Sequence, residues 1–158
     1  EASNAQTEPE VTPEPEVTVT PEPTPTPEPT PEQPAGTVIG SGAFDSETGV
    51  GLNTHTVWTA AEQPDGSVKL TLSVYVRSYT MEIGRRAIGI SVNGVEASGM
   101  TRSFSVNSPN AQTDTLIYSY ATTVEKGSVT INVDWNYKGQ YSGQELDVIS
   151  SSTIVPIS

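Results

Sequence analysis

Between Glu8 and Pro34 the chain alternates Pro, Glu and Thr, as in PEPTPTPEPTPEQP, with no Lys, Arg or aromatic residue. Proline removes a backbone donor and holds the residue before it extended, so neither a helix nor a sheet ladder propagates through such a run. A segment of this kind buries no core, and residues 1–36 are read as a disordered stalk or linker. The 27 residues of the run reach at most roughly 80 Å at ~3.1 Å per residue in polyproline II geometry. Mutual repulsion of the glutamates discourages collapse, so the segment serves as a spacer.

Residues 37–158 remain for a folded domain, with the boundary falling between Pro34 and Ile39, where glycine and alternating patterns replace proline. These 122 residues suffice to bury roughly two-thirds of the surface of the unfolded chain without disulfides or a metal. The chain has no cysteine, which excludes thiolate catalysis and Cys-ligated zinc but assigns no compartment. Of the net charge of −12, the first 36 residues supply eight Glu and no basic residue, leaving eleven acidic and seven basic residues for the domain. An acidic stalk and scattered cations argue against nucleic acid or an anionic membrane as partner. No apolar run approaches the ~20 residues of a membrane span. The sequence opens on Glu1 rather than Met, which leads to the expectation of a removed leader and an extracytoplasmic location, secreted or anchored at the cell surface.

The clearest strand covers Ser67 to Tyr79, where Val68, Leu70, Leu72, Val74 and Val76 share one face and Lys69, Thr71, Ser73, Tyr75 and Arg77 the other. A period of two with one apolar face predicts a half-buried strand. The same period recurs at Val129, Ile131, Val133, Trp135 and Tyr137. Weaker strands are expected over Thr54 to Ala61, Arg86 to Asn93, Thr101 to Asn107, Thr113 to Val124 and Ser152 to Ile157. Gln63-Pro64-Asp65-Gly66, Asn93-Gly94 and Glu125-Lys126-Gly127 supply reversals. With no convincing helix, the pattern predicts an all-β domain, an antiparallel β-sandwich of immunoglobulin-like or jelly-roll topology, with a closed barrel as competitor. The glycines Gly36, Gly40, Gly42, Gly49 and Gly51 read as a flexible lead-in.

No residue constellation calls for catalysis. His55 is the one histidine, no serine sits in a nucleophile elbow, and the simpler reading of His55 is a partly exposed structural residue. Paired carboxylates of a glycosidase would need a cleft that a sandwich of this size has little material to build. Asp45 and Glu47, or Glu145 and Asp147, are weighed as calcium ligands, but without a dense Asp/Asn loop they read as solvated surface, and no metal or cofactor is expected. Ligand binding falls to aromatic residues beside polar groups, the means by which sandwiches hold sugars. The candidates are Tyr75, Arg77 and Tyr79 on the best strand and Tyr141 in a glycine-flanked loop. The plainer alternatives are that Tyr75 and Tyr79 cover a neighbouring strand and that Tyr141 clamps the end of the sandwich. Trp135 shares its face with Ile131 and Val133 and reads as a core anchor; the facing of Trp58 is open.

The stalk Glu8 to Pro34 ahead of a strand-rich region resembles exported surface proteins of Gram-positive bacteria, including lipoproteins with a Pro/Thr/Glu spacer before a sandwich module. Trp135 to Asp147 is also similar to gut-bacterial domains ending in W-x-Y-x-G-x-Y-S-G-x-E-L-D. The resemblance carries no activity with it; the stalk and the candidate aromatic residues lead to the expectation of a non-catalytic binding module displayed on a stalk, contacting a glycan or a host or envelope protein. The alternative is a structural or assembly domain of the envelope or of a phage-like particle, with no soluble ligand.

Overall fold

The computed structural model describes Pro13, residues 36–47 and residues 51–158. The chain divides into two units, Glu1–Glu32 and Gln33–Ser158. Except for Pro13 and Gly36, the stalk expected over residues 1–36 lies outside the described residues.

The second unit is an all-β domain, an antiparallel sandwich. Its strands are β1 (Thr37–Asp45), β2 (Asn53–Glu62), β3 (Val68–Ser78), β4 (Thr80–Ile83), β5 (Ala87–Val92), β6 (Val95–Met100), β7 (Phe104–Asn107), β8 (Thr113–Val124), β9 (Gly127–Tyr141) and β10 (Gln144–Ile157). One sheet has the order β1-β2-β3-β8, the other β10-β9-β5-β6, and β4 and β7 make a two-stranded ribbon. Every pairing is antiparallel.

The alternation read from the two best strands places the core. Val68, Leu70, Leu72, Val74 and Val76 of β3 are buried together with Val129, Ile131, Val133 and Trp135 of β9, so the inner faces of both sheets meet in one cluster. Burying each such aliphatic side chain contributes roughly 1.5–3 kcal/mol. Trp135 is fully buried, with Phe104 and Tyr137 against its ring at centroid distances of 6.5 and 5.4 Å. It is the core anchor that its strand face predicted.

Turn chemistry sets the register. Asn93 and Gly94 both have positive φ, 49° and 81°, the backbone required of a tight hairpin between strands of right-handed twist. Gln63 to Gly66 closes β2 onto β3 through Gly66 N donating to Gln63 O at 2.9 Å. Asp65 accepts from both the backbone N and the hydroxyl of Ser67, which holds its carboxyl below the usual range. Glu125 and Lys126 instead carry the chain from β8 in one sheet to β9 in the other, so this reversal is an arch between layers.

Of the glycines expected in a flexible lead-in, Gly40 and Gly42 lie in a strand, and Gly49 lies outside the described residues. β1 pairs with β2 along its length, from Thr37 opposite Glu62 to Asp45 opposite His55. Its glycines are there for Trp58, which is buried: a Cβ on Gly42 would lie 2.8 Å from the indole nitrogen, and one on Gly40 would lie 3.2 Å from the ring. The absent side chains make room for an indole against the backbone of an edge strand. The weak strand at Thr101 to Asn107 shrinks to β7, and β6 precedes it with a sequence too rich in Gly, Ala and Ser to show a period of two. The loop expected around Tyr141 is the end of β9, which turns directly into β10 through Ser142 and Gly143, with φ of 51° and 78°.

The register defines two poles. Thr37, Glu62, Val68 and Val124 share one end of the first sheet, and Gly127 and Ile157 pair at the same end of the second. Asp45, His55, Tyr75, Arg77 and Asp114 gather at the opposite pole.

Candidate binding site at the distal pole

Sheet pairing builds the site by placing polar residues of four strands side by side on the outward face. Asp45, His55, Tyr75 and Leu116 form one cross-strand row, and Asn53, Arg77 and Asp114 the next. His55 Nδ1 lies 2.7 Å from Asp45 Oδ1, and the rings of His55 and Tyr75 tilt against each other at 6.3 Å. Tyr75 thus covers the neighbouring strand, as its plainer reading had it, while remaining half-buried on the outer face.

Arg77 is the hub. Its Nε and one terminal nitrogen donate to the two carboxylate oxygens of Asp114 at 2.8 and 3.1 Å, a planar fork on a planar acceptor. Its other terminal nitrogen is 3.7 Å from Asp45, to which Asn53 also donates at 3.4 Å. The hydrogen bond with Asp114 holds the guanidinium above its usual range and, reciprocally, the Asp114 carboxyl below the usual carboxylate range. Both groups stay charged and oriented across the neutral range.

Beside the hub lies an open concavity of about 780 Å³, lined by Asp45, Glu47, Asn53, Arg77 and Gln112, with Gly51 at its rim. Gln112 donates to the Gly51 carbonyl at 3.2 Å. Gly51 also meets the Tyr79 ring, 3.6 Å from where a Cβ would stand, and Tyr79 is 41 % exposed. Tyr75, Arg77 and Tyr79 therefore belong to one neighbourhood. Tyr141 does not join them: it ends β9 in the other sheet, half-buried against the core.

Sequence reasoning passed over Asn53, Gln112 and Asp114 as site residues. Asp114 opens β8 and becomes a partner of Arg77 only through a register that spans 37 residues of chain. Asp45 and Glu47, considered for calcium, line the concavity, where Asp45 serves His55, Asn53 and Arg77. Among the described residues no group of three or more His, Asp or Glu converges on a metal position, and no helix is long and apolar enough to cross a membrane. No family model, curated protein or solved structure matches the chain.

Proposed function

We propose that the chain is a non-catalytic binding module, displayed on its Pro/Glu/Thr stalk outside the cytoplasm, secreted or surface-anchored, and that it takes a glycan at the distal pole. The observation that carries this reading is the concavity itself, in which fixed donors and acceptors from Asp45, Asn53, Arg77 and Gln112 stand beside the exposed Tyr79 ring. A sugar needs that combination: oriented hydrogen-bond partners for its hydroxyls and a planar apolar surface for its ring face. Because Asp114 already fixes Arg77, little side-chain freedom remains to be lost on binding. The strand order supports the reading too. Strands β2-β3-β8 facing β10-β9-β5-β6, with β1 as an extra edge, are compatible with an immunoglobulin-like Greek key. The depressed pKa of Asp114 keeps its carboxylate a charged acceptor for Arg77.

A glycan array probed with the full chain is the test. Tyr79→Ala and Arg77→Gln should each weaken the strongest hit about tenfold or more, a loss of ~1.4 kcal/mol, while Tyr141→Ala should change it less. Affinity unmoved by both distal-pole variants would reject the site.

Assembly in an envelope is the second reading, favoured by Ile154 and Val148 on the outer side of β10, 68 % and 46 % exposed. It requires oligomers that disperse in Ile154→Lys. A monomer at all concentrations in light scattering would remove it.

A further inference from the structure

The seven basic residues all lie in the domain, and they are not used alike. Arg77 is held by Asp114, Lys126 lies 3.0 Å from Glu62, and Lys138 shares a hollow with Glu145 and Asp147. For Arg85, Arg86 and Arg102, no carboxylate stands within ion-pair distance among the described residues.

The backbone brings these three to one corner of the sandwich, with Arg85 across from Arg102 on one face of the strand pair and Arg86 across from buried Thr101 on the other. Thr101 N donates to Arg86 O at 2.8 Å, and Arg86 N donates to Thr101 Oγ1 at 3.1 Å, so residues 85–86 lie alongside residues 101–102 just beyond the paired ends of β5 and β6. Arg102 N donates in turn to Ile117 O of β8 at 3.0 Å, which fixes the second pair of residues to the first sheet. Arg85 and Arg102 are exposed, whereas Arg86 is half-buried. Its Nε is buried and has no acceptor. A buried donor left without an acceptor is destabilising, the more so when the group is charged. An anion arriving at this position would supply the missing acceptor.

We infer that Arg85, Arg86 and Arg102 form a second site, separate from the Arg77 concavity, that binds an acidic polysaccharide through its carboxylate or sulfate groups. The guanidinium fork matches either oxyanion with two parallel hydrogen bonds. Tyr137 falls opposite Arg86 when the β5–β9 register is continued, and its hydroxyl donates to Gln140 O at 2.7 Å. The surroundings select against a dense polyanion. Exposed Glu82 precedes Arg85 by three residues on β4, and exposed Asp147 lies on β10, the strand beyond β9. A nucleic acid duplex, with one charge per ~1.7 Å, would meet these carboxylates as well as the arginines. A polysaccharide spaces its charges by whole sugar units and can set single groups against single guanidiniums.

The test uses the full chain on immobilised sulfated glycosaminoglycan, polyuronate and neutral dextran, at low and at raised salt. Retention on at least one acidic polymer and none on dextran is expected, weakening with salt as exposed charge pairs are screened. Retention on polyuronate alone identifies carboxylate as the ligand group, on the glycosaminoglycan alone sulfate; both outcomes support the site. The Arg85→Gln/Arg86→Gln/Arg102→Gln variant should lose about tenfold or more, as expected for charge-assisted pairs, while Lys126→Gln, which removes a cation at the opposite pole, keeps wild-type retention. Should the triple variant not fold, Arg85→Gln/Arg102→Gln, at two exposed positions, must still lose retention. The inference is overturned by unchanged retention in the folded variant, by no retention at low salt, or by equal affinity for single-stranded DNA or phosphatidylserine vesicles.

Discussion

The first sheet ends in β1 on one side and β8 on the other, and both are secured by an aromatic residue on the inner face and an ion pair on the outer. At β1, Trp58 of the adjacent strand lies under Gly40 and Gly42, and Asp45 meets His55 outside. At β8, Tyr118 reaches across the sandwich to Gly99 of β6, and Asp114 meets Arg77 outside. The difference lies in where the aromatic side chain seals. Trp58 closes a seam within one sheet and is buried; Tyr118 bridges two sheets and is half-buried. A glycine can therefore serve as a socket either beside its own partner strand or beneath a strand of the other layer, and the first socket encloses its aromatic side chain more completely.

Removing the buried indole should break this arrangement most severely. Trp58→Ala is expected to cost about 3–5 kcal/mol, the range for deleting a large core aromatic, read as a lower denaturant midpoint. Filling the socket is the next largest change. Gly42→Ala sets a methyl 2.8 Å from the Trp58 nitrogen and should cost about 1–3 kcal/mol by overpacking. Gly99→Ala approaches the Tyr118 oxygen at 2.5 Å, but the half-buried ring can swing aside, so a loss of about 1 kcal/mol or less is expected. An equal loss at Gly42 and Gly99 would erase the distinction between the two seams.

The outer-face ion pair at β8 gives the smallest effect. The folded-state pKa of Asp114 is depressed by its hydrogen bond with Arg77, so the pair stabilises the fold above the ordinary carboxylate value of about 3.9. That contribution disappears as pH falls through the depressed value. With Asp114 37 % exposed, it should amount to at most about 1 kcal/mol. Urea midpoints of the wild type and Asp114→Asn should differ at pH 7 and converge under acid conditions; a constant difference would discount the pair. At alkaline pH Tyr137 acts in the opposite direction. Burial raises its phenol above the usual range, so stability falls once pH exceeds about 10, where the unfolded side chain ionises.

The inner faces were legible because a period of two needs no partner to be seen: β3 and β9 announce themselves through Val, Leu and Ile. β8 was found with its full extent and β2 within a residue at each end. What stayed hidden depends on partners. The glycines of β1 acquire meaning only once Trp58 is placed beside them, and the small residues of β6 only beneath Tyr118. The candidate site divides in the same way. Alternation put Tyr75 and Arg77 on the outer face, whereas Asn53, Gln112 and Asp114 join them through register and a loop bond, neither of which leaves a local signal. Tyr141 misled for a related reason: Gly139 and Gly143 suggested a loop, but Gly139 pairs with Leu146 and only Ser142 and Gly143 turn.

β1 begins at Thr37, across from Glu62, and climbs nine residues to Asp45 beside the concavity, a rise of roughly 30 Å at ~3.3 Å per residue. The last strand returns to Ile157, opposite Gly127, at the pole where β1 started. Inlet and outlet of the domain thus share one end, and both proposed binding faces crown the other. The backbone entering at Thr37 therefore runs the whole length of the first sheet before it reaches the concavity.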